Sequence, residues 1–122
     1  MPVVLIVEDD ASSRISLAAA LSDMGMAVLT VADGEQAIIQ LKKTPIDVVV
    51  TDVMMDRVDG LDLLGHIRQH YPKIPVILVT AFATAMVAEE ARKQGAECLP
   101  KPIDLNLLEA AVLAACGNID PA

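Results

Sequence analysis

The sequence predicts an open, doubly wound α/β fold with five parallel strands and five helices. Three observations carry this. Short aliphatic runs alternate with helical patterns along the whole chain. Three of those runs, "VVLIV", "IDVVVT" and "PVILVT", are nearly continuous β-formers, as expected of parallel strands covered by helices on both faces. Five such β-α units fit within the 122 residues, enough for one domain with a sizeable core.

The elements follow in order. Residues 3–7 read as a first strand. Residues 11–25 read as a helix, with Ile15, Leu17, Leu21 and Met24 as its apolar positions and Gly25 as its terminator. Residues 27–31 form a second strand. Residues 33–43 form a short helix with acids early and lysines late, matching the helix dipole. A third strand spans 46–51. A helix over 60–71 stops before Pro72. The fourth strand, 75–80, starts on Pro75, where a missing N–H is tolerated. A helix over 84–95 ends on Gly95, residues 97–100 are a short fifth strand, and 104–116 is the last helix with Asp104 as N-cap. The whole of 1–122 reads as one domain, with its core at about 3–116 and residues 117–122 a tail or the start of a linker. The expected strand order is the flavodoxin-like 2-1-3-4-5.

Composition narrows the function. Hydrophobic residues make up 54% of the chain, with one Phe, one Tyr and no Trp, so the core must be aliphatic. No apolar run approaches the roughly 20 residues of a membrane helix, and the N-terminus lacks the pattern of a secretory signal; a cytoplasmic location is the expectation. The net charge of −8 argues against direct nucleic-acid binding, which needs a basic footprint. Cys98 and Cys116 are far apart, form no CxxC pattern and are expected to remain reduced thiols.

In open parallel sheets the ligand site lies beyond the carboxyl ends of the strands. Glu8, Asp9 and Asp10 follow the first strand, Asp52 the third, Thr80 ends the fourth and Lys101 follows the fifth. Two carboxylates about 5 Å apart repel by roughly 3 kcal/mol at an effective dielectric near 20, so such a cluster favours protonation or a cation. Lys101 supplies one positive charge. A hard dication with oxygen ligands, Mg2+ or alternatively Mn2+, suits the rest. A carboxylate nucleophile, a metal, a hydroxyl and an ammonium together fit phosphoryl transfer.

"VVLIVEDD", "VVVTDVMMDRVDG", "PVILVTAFA" and "LPKP" resemble, in order and at the ends of the right strands, the four signature segments of response-regulator receiver domains. These are the phospho-accepting modules of two-component signalling. The resemblance implies that Asp52 is the phosphoacceptor, served by a histidine kinase or phosphotransfer protein. It implies that Asp9, Asp52 and the backbone carbonyl of Met54 bind Mg2+, with Glu8 acting mainly through water. Thr80 and Lys101 would contact phosphoryl oxygens, and the Lys101–Pro102 bond would be cis. A downstream output domain or protein would read the switched surface, and a homodimer is a further expectation.

Blander readings stand beside these. Asp10 reads as a helix cap; Asp56, Asp59 and Asp62 read as solvated or capping acids. His66 and His70, at i, i+4 spacing, could hold a metal, but no further ligand is evident and solvent exposure is expected. Competing functions are an aspartyl-phosphate phosphatase, a nucleotide or flavin module, and a degenerate receiver that works without phosphorylation. The first lacks a second acid two residues after Asp52, where Met54 stands. The second lacks a glycine-rich phosphate loop, since "EDDASS" is acidic. The third is opposed by the intact Asp9, Asp52, Thr80 and Lys101. Apart from self-phosphorylation and self-dephosphorylation, no enzyme activity is expected.

The chain also departs from the receiver pattern. Asp56 stands where a proline is usual, so a fixed φ is lost. Cys98 stands where a switch aromatic is usual, and "GAECLPKP" is one residue short of the usual length. Thr80 is therefore expected to move on phosphorylation while the surface of the fourth helix and fifth strand is read differently. Ala81 fits the small residue that admits the phosphoryl group, and Met54 and Phe82 flank the site as candidate screens against water.

Overall fold

The computed structural model describes residues 2–53, 59–81 and 85–117. Five strands, β1 (Val3–Val7), β2 (Ala27–Val31), β3 (Val48–Asp52), β4 (Val76–Thr80) and β5 (Glu97–Pro100), alternate with five helices. The helices are α1 (Ala11–Asp23), α2 (Gly34–Lys43), α3 (Gly60–His70), α4 (Ala85–Lys93) and α5 (Leu105–Gly117). All strand pairs are parallel, in the order β2-β1-β3-β4-β5. The predicted architecture is therefore the observed one. Among the described residues no helix is long and apolar enough to cross a membrane.

Strand alternation divides the core in two. Leu5, Val7, Val49 and Leu78 pack with Ala37 and Leu41 of α2, Leu63, Leu64 and Ile67 of α3, and Ala91 of α4. Val4, Ile6, Val48, Val50, Ile77 and Val79 pack on the other side with Leu17 and Leu21 of α1 and Leu108 and Val112 of α5. Every residue of β3 and β4 is buried, which explains the aliphatic run that opens each strand.

Local chemistry sets the ends. Asp10, Asp33 and Asp59 cap α1, α2 and α3, each accepting from the N–H three residues on at 2.8–2.9 Å. Asp104 accepts from the N–H groups of Asn106 and Leu107 at the start of α5. Gly25 and Gly95 follow α1 and α4 with φ of +87° and +71°, where a side chain would be strained.

Two expectations need correction. Ile15 is 68% exposed and does not belong to the buried face of α1. At about 100° per residue it sits about 200° from Leu17, while Leu17, Leu21 and Met24 share a face. The third strand starts at Val48, not residue 46. Asp47 instead bonds β1 from outside the ladder: its N–H donates to the Val3 carbonyl at 2.8 Å, and its Oδ2 accepts the Val3 N–H at 2.8 Å. Ile46 is nonetheless buried. Cys98 and Cys116 are free thiols in half-buried positions, raised in pKa by burial and by the neighbouring Glu97 and Asp47 respectively.

Candidate functional site

β1, β3, β4 and β5 are lateral neighbours, so the residues at their carboxyl ends converge. Asp52 is the last residue of β3 and is 6% exposed. It lies level with Val79 of β4; Val53 N–H donates to the Val79 carbonyl at 3.2 Å and holds the chain there. Glu8 directly follows β1 and is fully buried. Its N–H bonds the Val31 carbonyl at 3.1 Å, anchoring it to β2. Arg14 of α1 donates from Nη1 to the Glu8 carbonyl at 2.8 Å, and the Asp10 N–H donates to Glu8 Oε2 at 3.3 Å. Asp9, next in the chain, is exposed. One carboxylate oxygen from each of Glu8, Asp9 and Asp52 lies within 4.8 Å of the others. This is the one such group of three or more potential metal ligands among the described residues.

Lys101 completes the cluster. Its Nζ donates to Glu8 Oε1 at 2.8 Å and to Asp52 Oδ2 at 2.7 Å. Its backbone N–H donates to the Thr80 carbonyl at 2.8 Å, which fixes it beside the end of β4. The Lys101–Pro102 peptide is cis, as the resemblance implied. Thr80 is fully buried and Ala81 exposed. A cleft of about 340 Å³ opens beside the cluster, lined by Ser13, Ser16, Leu17, Lys101, Pro102 and Ile103 among others.

The electrostatics follow from burial. Desolvation raises the Glu8 pKa; the hydrogen bond from Lys101 opposes this and the nearby Asp52 charge adds to it. Burial by itself would lower Lys101, but its hydrogen bonds to Asp52 and Glu8 outweigh that and hold the ammonium above its usual value. One ammonium thus serves two buried carboxylates, and the third, on Asp9, faces outward. Such an all-oxygen donor set suits a hard dication and offers nothing to a soft one.

Glu8, Asp9, Asp52 and Lys101 are brought together as the sequence implied, and Thr80 is linked to them through the backbone of Lys101. Met54, Asp56 and Phe82 lie outside the described residues, as does the segment after Gly117. His66 and His70 pack against each other with ring centroids 4.4 Å apart and planes tilted by 44°. His66 is half-buried, not solvent-exposed, and His70 is exposed.

Sequence reasoning missed two supports. Arg14 steadies Glu8, and nothing in "SSRIS" marks it. Gly60 lies against the strand end: an added Cβ would collide with the Asp52 carbonyl oxygen and stand 2.7 Å from Val53 Cα. Its N–H donates to the Val53 carbonyl at 2.9 Å. The Asp-Gly pair at 59–60 signals a helix start, but not this approach.

The chain matches the response regulator receiver domain over residues 4–113. It is 39% identical over 118 residues to the DNA-binding transcriptional regulator NtrC of Salmonella typhimurium, covering 95% of this chain and 25% of that one. It is 37% identical over 116 residues to the transcriptional regulatory protein ZraR of Escherichia coli K12, covering 94% and 26%. The chain thus spans about a quarter of the length of these relatives. Among solved structures it resembles the receiver domain of Francisella response regulator 1452 (TM-score 0.92, 26% identity, 98% and 100% coverage). It also resembles the Vibrio cholerae chemotaxis protein CheY4 (TM-score 0.88, 29% identity, 94% and 98% coverage). The chain belongs to the response regulator receiver domain family.

Proposed function

We propose, from this membership, that the domain accepts a phosphoryl group on Asp52 from the phosphohistidine of a histidine kinase or phosphotransfer protein. A carboxylate oxygen of Asp52 attacks phosphorus, the N–P bond breaks, and the imidazole leaves with the bonding electrons. The product is an acyl phosphate. Lys101 is already bonded to Asp52 and pairs with a phosphoryl oxygen as charge develops there. Thr80 donates its hydroxyl to another. Glu8, Asp9, Asp52 and the Met54 carbonyl would hold Mg2+, or Mn2+, which when bound neutralises phosphoryl charge. Glu8, already hydrogen-bonded to Lys101, would serve such an ion mainly through water.

The observation that supports this reading is the shared ammonium. Lys101 bridges Glu8 and Asp52 at 2.8 and 2.7 Å, with Asp9 beside them. The cluster remains short of positive charge, which supports a reading with a dication and a phosphoryl group at this place. The acyl phosphate then biases a conformational equilibrium that a partner reads, so the role is that of a switch rather than a turnover enzyme. The reading extends to a cytoplasmic location, to one domain spanning the chain, and to an output domain or partner; the NtrC relative is a DNA-binding transcriptional regulator.

The test is intact-mass measurement after treatment with a small phosphodonor and Mg2+. One phosphoryl adduct is expected on the parent, absent in Asp52→Asn and lost on chelation. An adduct that forms equally on Asp52→Asn refutes the assignment.

A further inference from the structure

Two imidazoles stand together at the end of α3 remote from the acid cluster. Gly60, the first residue of the helix, lies against Asp52. His70 is the last residue, about 15 Å further along the axis. His66 is one turn before it, and side chains four apart on a helix share a face. Among the described residues neither ring has a hydrogen-bond or ion-pair partner.

The backbone beneath the pair is firmly held. Arg68, about 200° round the helix from either histidine, donates from Nε to the Gln94 carbonyl at 2.5 Å, from Nη1 to the Ile74 carbonyl at 2.7 Å, and from Nη2 to the Gly95 carbonyl at 3.4 Å. The Tyr71 N–H donates to the Ile67 carbonyl at 2.6 Å and closes the helix. The surroundings also suit a cation. The last turn of a helix carries the negative end of its dipole. Burial, then the neighbouring His70 and Lys42, lower the His66 pKa, which favours the neutral ring that a metal requires. Lys42 opposes a cation, but it is the smallest of these three influences and is exposed, where solvent and salt screen it.

The spacing discriminates between ions. Metal–nitrogen bonds of about 2.0–2.1 Å put each ring centroid about 3.2 Å from the ion, so two rings at a right angle stand about 4.5 Å apart and two at the tetrahedral angle about 5.2 Å. The observed 4.4 Å matches the right-angled case, which is the tetragonal preference of Cu2+ and Ni2+.

We propose that His66 and His70 form a two-nitrogen site for Cu2+, or more weakly Ni2+, with water as the remaining ligands. It complements the acid cluster at the other end of α3: imidazole suits late first-row ions, whereas carboxylates suit Mg2+. The proposal does not depend on phosphorylation at Asp52.

Tyr71 reports on this site. Its ring centroid lies 6.3 Å from that of His66 and 6.5 Å from that of His70, and the chain has one tyrosine and no tryptophan. Cu2+ held by the two imidazoles quenches tyrosine emission at that range. The test is a Cu2+ titration of the full chain at neutral pH in excess Mg2+, which prefers oxygen ligands. A saturable loss of Tyr71 emission is expected, with one ion per chain. His70→Gln, at an exposed position, should weaken the apparent Kd about tenfold or more, because the second ring no longer binds intramolecularly. His66→Gln should do the same, and if it fails to fold His70→Gln decides alone. Electron paramagnetic resonance of the one-to-one Cu2+ complex should show nitrogen coupling that weakens in His70→Gln. An equal Kd in parent and His70→Gln overturns the proposal, as does unquenched Tyr71 emission or a Cu2+ signal without nitrogen coupling.

Discussion

Replacing Lys101 with Met removes the one ammonium that Glu8 and Asp52 share. At 2.7 and 2.8 Å each contact is worth about 6 kcal/mol gross at an effective dielectric of 20, most of it offset by desolvation. The net cost of removing one partner from a buried pair is about 3–5 kcal/mol. The Lys101 side chain is 23% exposed, which favours the lower end. A second route agrees. The two carboxylates left behind, within 4.8 Å of each other, repel by about 3 kcal/mol at the same dielectric. With an m-value near 2 kcal/mol/M, the urea midpoint of metal-free Lys101→Met should fall by about 1.5 M at pH 7. Saturating Mg2+ should restore more of that loss than it adds to the parent, because the ion no longer competes with an ammonium. The assay is a pair of urea titrations followed by circular dichroism, with Mg2+ and with chelator. Equal midpoints without metal, or the same Mg2+ increment in both proteins, would refute the electrostatic account of this cluster.

Three further outcomes are expected. Gly60→Ala puts a methyl group onto the Asp52 carbonyl; it should cost about 3 kcal/mol by overpacking and slow phosphorylation by a small donor, both measurable against the parent. Because the Glu8 carboxyl is raised in the fold, the native state holds a proton that the unfolded chain releases. Its contribution to stability is complete below the ordinary value of 4.5 and is lost as pH rises through the folded value. Metal-free protein should therefore lose stability as pH rises above 4.5, and Glu8→Gln should flatten that part of the urea profile. Asp33→Ala removes the cap from α2; it should lower stability by about 1 kcal/mol and leave the yield of phosphoryl adduct unchanged.

The sheet and the placement of the acids and the lysine at its edge were legible because both are written in short patterns. Aliphatic runs declare buried parallel strands, and an acid or lysine after such a run can only sit at the sheet's carboxyl edge. What stayed hidden depends on distance in the chain. Lys101 and Glu8 are 93 residues apart, and only the folded register makes them bond. Arg68 lies in an ordinary amphipathic helix, and its carbonyl partners, up to 27 residues away, leave no trace in composition. The misplaced Ile15 has a different cause: an apolar residue within a helical run is not thereby on the buried face. The early start given to the third strand took buried Ile46 for a ladder residue, when Asp47 reaches β1 through its side chain.

The division of the core has a wider consequence. The five-stranded sheet is a wall between two rooms: α1 and α5 furnish one, and α2, α3 and α4 the other. Buried side chains on opposite sides do not share neighbours, so substitutions in one room should add to those in the other without interference. A lineage could refit the α1 and α5 side for a new partner while the α4 side kept its shape. The acids and the lysine, set along the top of the wall, are the place where both rooms open onto the same event.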